Sequence, residues 1–540
     1  MIINPILKGF NPDPSICKKG DTYYIAVSTF EWFPGVRVYK SNNLKDWTFA
    51  ATVLTRTNQL DMYGVPDSGG VWAPSLTYHD DKFWLIYSNM KEHRAFKDVH
   101  NYLVTCDEID GDWSDPVFLN SSGFDPSLFH NEDGKKYMLN LIYDYRNYNP
   151  WYGGIAIQEY SVTEQKLMGE KQIIFTGTDL GKTEGPNLFY KDGYYYLVTA
   201  EGGTKYEHAV TLARATSIYG PYEVHPENPI LSTWSDPRNH IQKAGHADFI
   251  QTDSGEWYMT YLMARPIKRK GKSILEERGF CPLGRETSLA KIYWENDWPY
   301  VQGGRIAQIE VPAPKISTTE GLEPTIWDGN FSVSELPSEF QTLRVPFNET
   351  MGTLSQRPGY LRLIGGESLY SVFQQSLVAR RFESLNFTVV TQVEFEPDNF
   401  QQMAGITCFY NTKNWISLYI SHDDVLGRVI DIMQCEGQVM DWPLKKNKIP
   451  LDDGPIYMKV VVTPDKLSFY FSQDNQDWIK INKEVDTYKL SDDYIAKPFT
   501  GSVGSAFTGS FIGLHCNDLS GGRKSADFKF FNYIEEDTNE

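Results

Sequence analysis

The chain has 540 residues, well beyond the roughly 250–300 at which a single core usually stops growing, so at least two domains are expected. Charged residues make up 22% of the sequence and apolar residues 41%, which are ordinary values for a globular protein and argue against wholesale disorder. The net charge of −19, without any long basic cluster, argues against nucleic acid and anionic membranes as partners.

The amino-terminal residues and the cysteines indicate a compartment. No stretch approaches the ~20 apolar residues of a transmembrane helix, and the amino-terminal residues lack the apolar core of a secretory signal. The six cysteines are far apart and form no C-x-x-C pair, which disfavours both a zinc ribbon and a disulfide framework. We therefore expect a cytoplasmic protein with reduced thiols and no membrane partner.

One pattern occurs five times in the first 300 residues: a short motif often containing Pro, a polar turn, and an aromatic-rich run. The copies are NPDPSICKKGDTYYIAV from Asn11, APSLTYHDDKFWLIYS from Ala73, DPSLFHNEDGKKYMLNL from Asp125, GPNLFYKDGYYYLVTA from Gly185 and HADFIQTDSGEWYMTYL from His246. Their shared internal spacing predicts a β-hairpin in each copy. Aligned at Pro14, Pro74, Pro126, Pro186 and Ala247, successive copies lie 52 to 61 residues apart, enough for about four strands of ~5–6 residues plus turns. We predict an all-β protein that begins with a five-bladed β-propeller over 1–305.

The composition changes after the last repeat. A stretch rich in Pro, Thr and Glu predicts an interdomain linker over 306–325. Beyond it, segments such as FTVVTQVEFEP, NWISLYISHDD and ADFKFFNYI alternate or run apolar at strand length, which is typical of an antiparallel β-sandwich. We predict this sandwich over 326–535 and a frayed acidic tail over 536–540.

The first strand of each propeller blade lines the central axis, so residues at the starts of the five repeats should converge on one cavity. These positions hold Asp13, Trp72, Ala73, Asp125, Glu184 and His246. Hydrolysis of a glycosidic bond needs an acid for the leaving oxygen and a second carboxylate that activates water or attacks the sugar. Carboxylates held close together raise one another's pKa, which keeps one of them protonated near neutral pH. One Asp before Pro is usually a turn residue, but three acids in register favour a glycosidase site.

Six motifs surround these candidate residues in a definite order. They are NPDPS with Asp13, VWAPS with Trp72, GFDPSLF with Asp125, TEGPNL with Glu184, SDPRNHIQKAGHADF with His246, and GFCPLGRET with Arg285. Together they resemble glycoside hydrolase family 43, specifically its two-domain β-xylosidases, over nearly the whole chain. The resemblance implies a five-bladed propeller, a concanavalin-like jelly roll and inverting hydrolysis. Inversion requires the base and the acid to stand about 6.5–9.5 Å apart.

The resemblance also implies roles for individual residues. Asp13 matches the general base, Glu184 the general acid, and Asp125 the carboxylate that orients Glu184 and tunes its pKa. The implied substrate-binding residues are Thr204, His246 and Arg285 for sugar hydroxyls, Phe30, Trp72 and Ala73 for the pocket, and Tyr143 for the leaving group. Tyr143 stands where close relatives often have Trp, which leaves the leaving-group preference open.

A loop of the second domain also enters the expected site. The segment GSAFTGSFIGLHC resembles the family's loop that reaches back over the propeller, which implies that Phe507 lies at the pocket mouth. The alternative is that Phe507 belongs to the sandwich core. A closed pocket mouth would favour removal of single terminal sugars.

The resulting hypothesis is an exo-acting β-1,4-xylosidase that removes xylose from the non-reducing end of xylooligosaccharides, with α-L-arabinofuranosidase as an alternative or second activity. Two different hypotheses also stay open: a non-catalytic carbohydrate-binding protein, and a retaining fructan-type hydrolase or transferase with acids about 5–5.5 Å apart. We expect no required cofactor. His208, His240 and His246 lack zinc-ligand spacing, although accessory calcium occurs near the propeller axis in some relatives. The resemblance implies a homo-oligomer, either a dimer or a tetramer.

Overall fold

A computed structural model describes residues 1–274, 276–315, 321–322, 327–496 and 506–536. The chain forms two compact units, the first made of Met1–Arg278 with Arg285–Thr325 and the second of Gly279–Gly284 with Ile326–Glu540. The predicted linker over 306–325 and the predicted tail over 536–540 fall partly outside the described residues. All six cysteines are free, and none of the helices in the described part of the chain is long and apolar enough to cross a membrane.

The first unit is a five-bladed β-propeller, as the repeats predict. Each blade is an antiparallel sheet whose strands follow one another along the chain. Blade 1 contains Ser15–Lys19, Thr22–Val27, Gly35–Ser41 and Thr48–Leu54; blade 2 Gly70–His79, Lys82–Glu92, Asp98–Cys106 and Val117–Asn120; blade 3 Ser127–His130, Lys136–Tyr143, Tyr152–Ser161 and Lys166–Phe175; blade 4 Glu184–Lys191, Tyr194–Glu201, Ala209–Ala215, Glu223–Val224 and Leu231–Ser232; blade 5 Gln242–Gln251, Trp257–Ala264, Glu286–Glu295 and Trp298–Val301.

Each predicted hairpin forms the first two strands of a blade. The second strand of a blade reads as a continuous apolar run because a neighbouring blade packs against each of its faces. In blade 2, Leu85 and Tyr87 join the core cluster shared with blade 1, whereas Trp84 and Ile86 join the cluster shared with blade 3. Alternate side chains of one strand therefore belong to two separate hydrophobic clusters.

Bulges interrupt the first strands near the axis. The register shifts between Trp72 and Ser75 in blade 2 and between Glu184 and Asn187 in blade 4, where each interval contains a proline. Proline cannot donate to the ladder and is tolerated at such bulges, which also redirect neighbouring side chains. The prolines of the repeat motif thus help to aim the axial residues.

The ring closes between blades 5 and 1. The carboxylate of Asp248 in blade 5 accepts hydrogen bonds from the Ser15 hydroxyl and the Ile16 amide of blade 1, both at 2.9 Å. The amino-terminal strand Ile2–Ile3 pairs with Glu310–Val311, which follows blade 5 in the chain. Both connections join the two ends of the propeller sequence.

The second unit is an antiparallel β-sandwich, which confirms the predicted class. Its buried side chains form one cluster to which strands of both sheets contribute. One sheet contains, in spatial order, Gly352–Thr353, Leu361–Ile364, Ser525–Glu535, Phe387–Glu394, Ile456–Val462, Lys466–Ser472 and Ile479–Asp486; the other contains Leu377–Arg381, Phe511–Asp518, Gln402–Asn411, Asn414–Asp423, Gly427–Glu436 and Val439–Asp441, with Ile449–Pro450 also paired to Gly427–Glu436.

A few short elements complete the described secondary structure. Two of them are helical: a 3₁₀ turn at Thr487–Lys489 and a single α-helical turn at Asp492–Ile495. The two-residue strands Trp32–Phe33 and Thr342–Leu343 also belong to this group. The segment Gly279–Gly284 is tied to the second unit, because the Cys281 amide donates to the Asp493 carboxylate at 3.0 Å.

The closure of the ring can be tested at Asn4. Its side chain exchanges hydrogen bonds with both backbone groups of Leu289 and donates to the Gln308 carbonyl, all at 2.8–2.9 Å. Asn4→Ala leaves buried backbone groups without these partners, so we expect a loss of about 2–4 kcal/mol. Thermal unfolding should show a midpoint several degrees lower. The exposed Asn147→Ala is the control, and equal midpoints for both variants would contradict this account of closure.

Candidate active site

Three carboxylic acids lie buried at the starts of blades 1, 3 and 4. Asp13, Asp125 and Glu184 are 4%, 8% and 6% exposed. Asp13 and Asp125 each precede a proline and adopt left-handed backbone angles, with φ of 54° and 53°. Aspartate tolerates this conformation better than most residues. In blade 4 the equivalent left-handed position before proline is Gly185, with φ of 58°, so Glu184 lies one residue earlier.

Asp13 is held by partners from two blades. Its carboxylate accepts hydrogen bonds from the Ser28 hydroxyl at 2.5 Å and from Arg285 Nη1 at 3.0 Å, and His246 Nδ1 lies 3.9 Å away. Burial acts to raise the pKa of Asp13, but the charges of Arg285 and His246 and the Ser28 hydrogen bond outweigh it, so the pKa is lowered. Asp13 is therefore a carboxylate at neutral pH and can accept a proton.

Glu184 has the opposite electrostatic environment. Burial and the negative charge of Asp13 raise the pKa of Glu184 to about 7, although Arg285 and Lys97 act in the lowering direction. The charge of Glu184 is in turn the largest cause of the raised pKa of Tyr152, to which it is also hydrogen-bonded. Glu184 thus retains a proton near neutral pH and can donate it.

Asp125 acts on the peptide that follows Glu184. One of its carboxylate oxygens accepts a hydrogen bond from the Gly185 amide at 3.0 Å. Burial and the charges of Glu184 and Asp13 raise the pKa of Asp125 well above its usual range. Blade 3 thereby fixes the backbone beside the acid of blade 4, and the three acids form one electrostatic group.

Aromatic rings line the neighbouring surface. The Phe30 ring lies 6.1 Å from the Trp72 ring and 5.4 Å from the guanidinium of Arg285, measured between centroids and Cζ. The Trp72 indole donates to the Ser68 carbonyl at 2.9 Å, which fixes the ring. Ala73 follows Trp72 on the same strand and is buried. The structure therefore brings Phe30, Trp72 and Arg285 together.

Tyr143 lies at the end of a blade 3 strand. It is half-buried and pairs in register with Tyr152, and the Phe124 ring lies 6.3 Å from both tyrosine rings. The ammonium of Lys97 is 5.0 Å from the Tyr143 ring. The position expected to contact a leaving group is thus connected to the residues around Glu184.

Thr204 and Phe507 are the two remaining expected site residues. Thr204 is half-buried in the loop between Tyr194–Glu201 and Ala209–Ala215. Phe507 is half-buried and belongs to the second unit. Their roles at the hydroxyls and at the pocket mouth stay predictions.

The structure adds residues that sequence reasoning did not predict. Ser28 and Tyr152 could have been inferred from hairpin register, because the Ser28 amide donates to the Pro12 carbonyl and Tyr152 pairs with Tyr143. Lys97 comes from a loop without periodic signal. His208, considered above only as a metal ligand, is fully buried, and burial lowers its pKa to about 3.

The calcium expectation can be compared with the residues present. Calcium in proteins takes six to eight oxygen ligands. The only group of three or more potential His, Cys, Asp or Glu ligands among the described residues is Cys281, Asp492 and Asp493, which belongs to the second unit. The described residues around His246 form no such group, and no step below depends on this ion.

Comparisons with known proteins agree with this geometry. Residues 2–299 match the model for glycosyl hydrolases family 43, and residues 328–534 match the beta xylosidase C-terminal concanavalin A-like domain. The chain belongs to glycosyl hydrolase family 43. It is therefore a glycoside hydrolase, and the alternative of a non-catalytic binding protein is set aside.

Individual members of this family are similar over the full length. A beta-xylosidase of Bacillus subtilis (strain 168) is 52% identical, and the match covers 99% of this chain and 100% of the relative. A xylan 1,3-beta-xylosidase of a Vibrio species is 42% identical and covers 99% of both. A crystal structure of xylan beta-1,4-xylosidase from Bacillus halodurans C-125 is 46% identical with a TM-score of 0.93, covering 99% of this chain and 100% of that one.

The close packing around Gly185 predicts a sensitive position in this glycosidase. A Cβ atom there would lie 2.9 Å from Cε1 of His246. Gly185→Ala should displace the imidazole and the Asp125 hydrogen bond, and a misplacement of ~1 Å can cost about 100-fold in rate. We expect such a loss in kcat/KM on an aryl xyloside.

Gly134→Ala is the matched control for this substitution. Gly134 also has positive φ, at 83°, but a Cβ there would meet nothing within 4 Å. Both variants carry the backbone strain of alanine at positive φ, and only one carries the collision. Equal activities would show that backbone strain alone matters.

Proposed function

We propose that this glycoside hydrolase is an exo-acting, inverting β-xylosidase that removes xylose from the non-reducing end of short β-1,4-xylooligosaccharides. The observation that carries the proposal is the opposite protonation of two buried acids in one site. The pKa of Asp13 is lowered, while burial and the Asp13 charge raise that of Glu184 to about 7. The names of the similar proteins support xylose as the sugar.

The two acids divide the reaction between them. Asp13 accepts a proton from the water that attacks the anomeric carbon, and Glu184 donates its proton to the departing glycosidic oxygen. After one turnover Asp13 is protonated and Glu184 is ionised, so exchange with solvent restores both. Asp125 holds the Gly185 amide and thereby positions Glu184.

The remaining pocket residues bind the sugar. Arg285, His246 and Thr204 bind hydroxyl groups, and Phe30 and Trp72 provide apolar walls for the sugar ring. Tyr143 contacts the leaving group. Arg285 also donates to Asp13, so the same guanidinium orients the base and the sugar.

The cellular setting forms part of the proposal. The six free thiols agree with a cytoplasmic enzyme that acts on imported short oligosaccharides. A homo-oligomer, either a dimer or a tetramer, is proposed from the family resemblance. Neither an organic cofactor nor a resident metal has a step in the proposed reaction.

The first test follows β-1,4-xylobiose by proton NMR in the opening minutes, before mutarotation mixes the anomers. We expect the α-anomer to exceed its equilibrium share at first, because inversion at the β-linkage releases the non-reducing-end xylose as the α-anomer, while the reducing-end xylose keeps its anomeric mixture. An early excess of β-xylose over its equilibrium share would mean retention and would contradict the role of Asp13. Faster cleavage of β-1,3-xylobiose would correct the linkage, and cleavage of α-L-arabinofuranosides alone would replace xylose as the substrate.

The acid role of Glu184 is tested by leaving groups of different quality. Glu184→Ala should lower kcat on xylobiose by about 100- to 10,000-fold, because its leaving oxygen needs a proton. On 2,4-dinitrophenyl β-xyloside, whose leaving group departs as a stable anion, the loss should be below ~10-fold. The exposed Glu164→Ala should match the wild type on both substrates. Equal losses on both substrates would contradict the assignment of Glu184 as the acid.

A further inference from the structure

The pocket contains three buried acids, and the cation Arg285 forms an ion pair with one of them. Arg285 donates directly to Asp13 and so forms its ion pair. Glu184 and Asp125 are also buried, and during the reaction Glu184 loses a proton while Asp13 gains one, so the negative charge moves from Asp13 to Glu184. A buried carboxylate without a nearby cation is costly. A positive charge near Glu184 would therefore stabilise the carboxylate to which the negative charge moves, away from the ion pair of Arg285 with Asp13.

Lys97 supplies a positive charge at this place. It lies between the blade 2 strands Lys82–Glu92 and Asp98–Cys106, with a left-handed φ of 55°. Its ammonium donates to the His93 carbonyl at 2.9 Å and lies 5.0–5.8 Å from three aromatic ring centroids. The three rings belong to Trp72, Phe124 and Tyr143.

This environment restrains a side chain that would ordinarily extend into water. Holding a lysine in one conformation costs side-chain entropy. Cation–π attraction to the neighbouring rings offsets part of that cost. The ring contacts and the hydrogen bond to the His93 carbonyl therefore hold the ammonium in one place beside Tyr143.

Lys97 interacts electrostatically with the acids of the site. Burial lowers the pKa of Lys97, while the charges of Glu184, Asp125 and Glu92 act to raise it. The interaction is mutual, since Lys97 acts to lower the pKa of Glu184. The other charged or titratable groups that act on Glu184 or interact with it are Asp13, Asp125, Tyr152, Lys182 and Arg285.

We infer that Lys97 is a positioning residue that acts through Glu184, because its restrained ammonium stabilises the carboxylate formed when Glu184 protonates the leaving oxygen. This inference rests on the proposed function. The proton moves from Glu184 to the glycosidic oxygen as the glycosidic bond breaks, and its electron pair leaves with that oxygen. Lys97 keeps all its own protons throughout.

The pH dependence of kcat/KM on xylobiose tests this role. Glu184 must be protonated to act, so activity of the wild type should fall as the pH rises through about 7. Lys97→Met removes the stabilising cation, so Glu184 keeps its proton to higher pH. We expect the alkaline limb to move up by about 0.5–1 pH unit, and kcat on xylobiose to fall roughly 10-fold. Lys97→Arg keeps the charge and should keep the limb near its wild-type position.

Lys182 offers a matched control. It also acts to lower the pKa of Glu184, but its side chain is exposed, where solvent and salt screen its charge. Lys182→Met should move the limb much less than Lys97→Met. An unchanged or lowered limb in Lys97→Met, or equal shifts in both variants, would overturn the inference.

A direct titration separates this inference from the proposed function. The pKa of Glu184 can be measured by carboxyl carbon-13 NMR in the wild type and in K97M, with the Glu184 signal assigned by its absence from E184Q. A higher pKa in K97M supports the inference even if xylobiose is not a substrate, and an equal pKa refutes it even if xylobiose is cleaved. If K97M does not fold, K97Q removes the same charge with a polar side chain and gives the same two outcomes.

Discussion

Withdrawing three carboxyl groups from water at the axis of one propeller is the constraint on which the rest of the site depends. Burial alone would raise the pKa of each acid, and mutual repulsion would raise it further. The pKa values of Asp13 and Glu184 differ because Asp13 has a hydrogen-bonded guanidinium and a serine hydroxyl, whereas Glu184 forms no ion pair with any of the described residues. One acid is therefore ionised and another protonated in the same cavity, as two-acid glycoside hydrolysis requires.

The repeat itself produces the difference in position between base and acid. Asp13, Asp125 and Gly185 occupy the same left-handed position before proline in blades 1, 3 and 4. Because blade 4 has glycine there, its acid comes from the preceding residue, which is already part of a strand. A shift of one residue changes the direction of a side chain on an extended backbone. Base and acid thus come from one repeated scaffold without being equivalent.

The blades and the acids could be predicted from the sequence because neighbouring residues specify a hairpin. A hairpin is specified by its turn and by the register of the residues beside it, so five matched copies determine five hairpins. Long-range contacts have no such signal. Lys97 reaches the site from a loop, and Gly279–Gly284 joins the second unit through contacts such as the Cys281 amide with Asp493, more than 200 residues away. The prediction of one domain over 1–305 therefore did not place Gly279–Gly284 in the second unit.

The hydrogen bonds that orient the acids also run from one blade to another. Arg285, which immediately precedes the third strand of blade 5, donates to Asp13 beside blade 1, and Gly185 of blade 4 donates to Asp125 beside blade 3. The geometry of the site is therefore a property of the closed ring rather than of any single blade. The contact of Asp248 with Ser15 and Ile16 holds blades 5 and 1 together, at the same junction that Arg285 and Asp13 span. Loosening that junction would separate the base from its guanidinium and raise its pKa before the propeller unfolds, so ring closure maintains the ionised state of Asp13 as well as the fold.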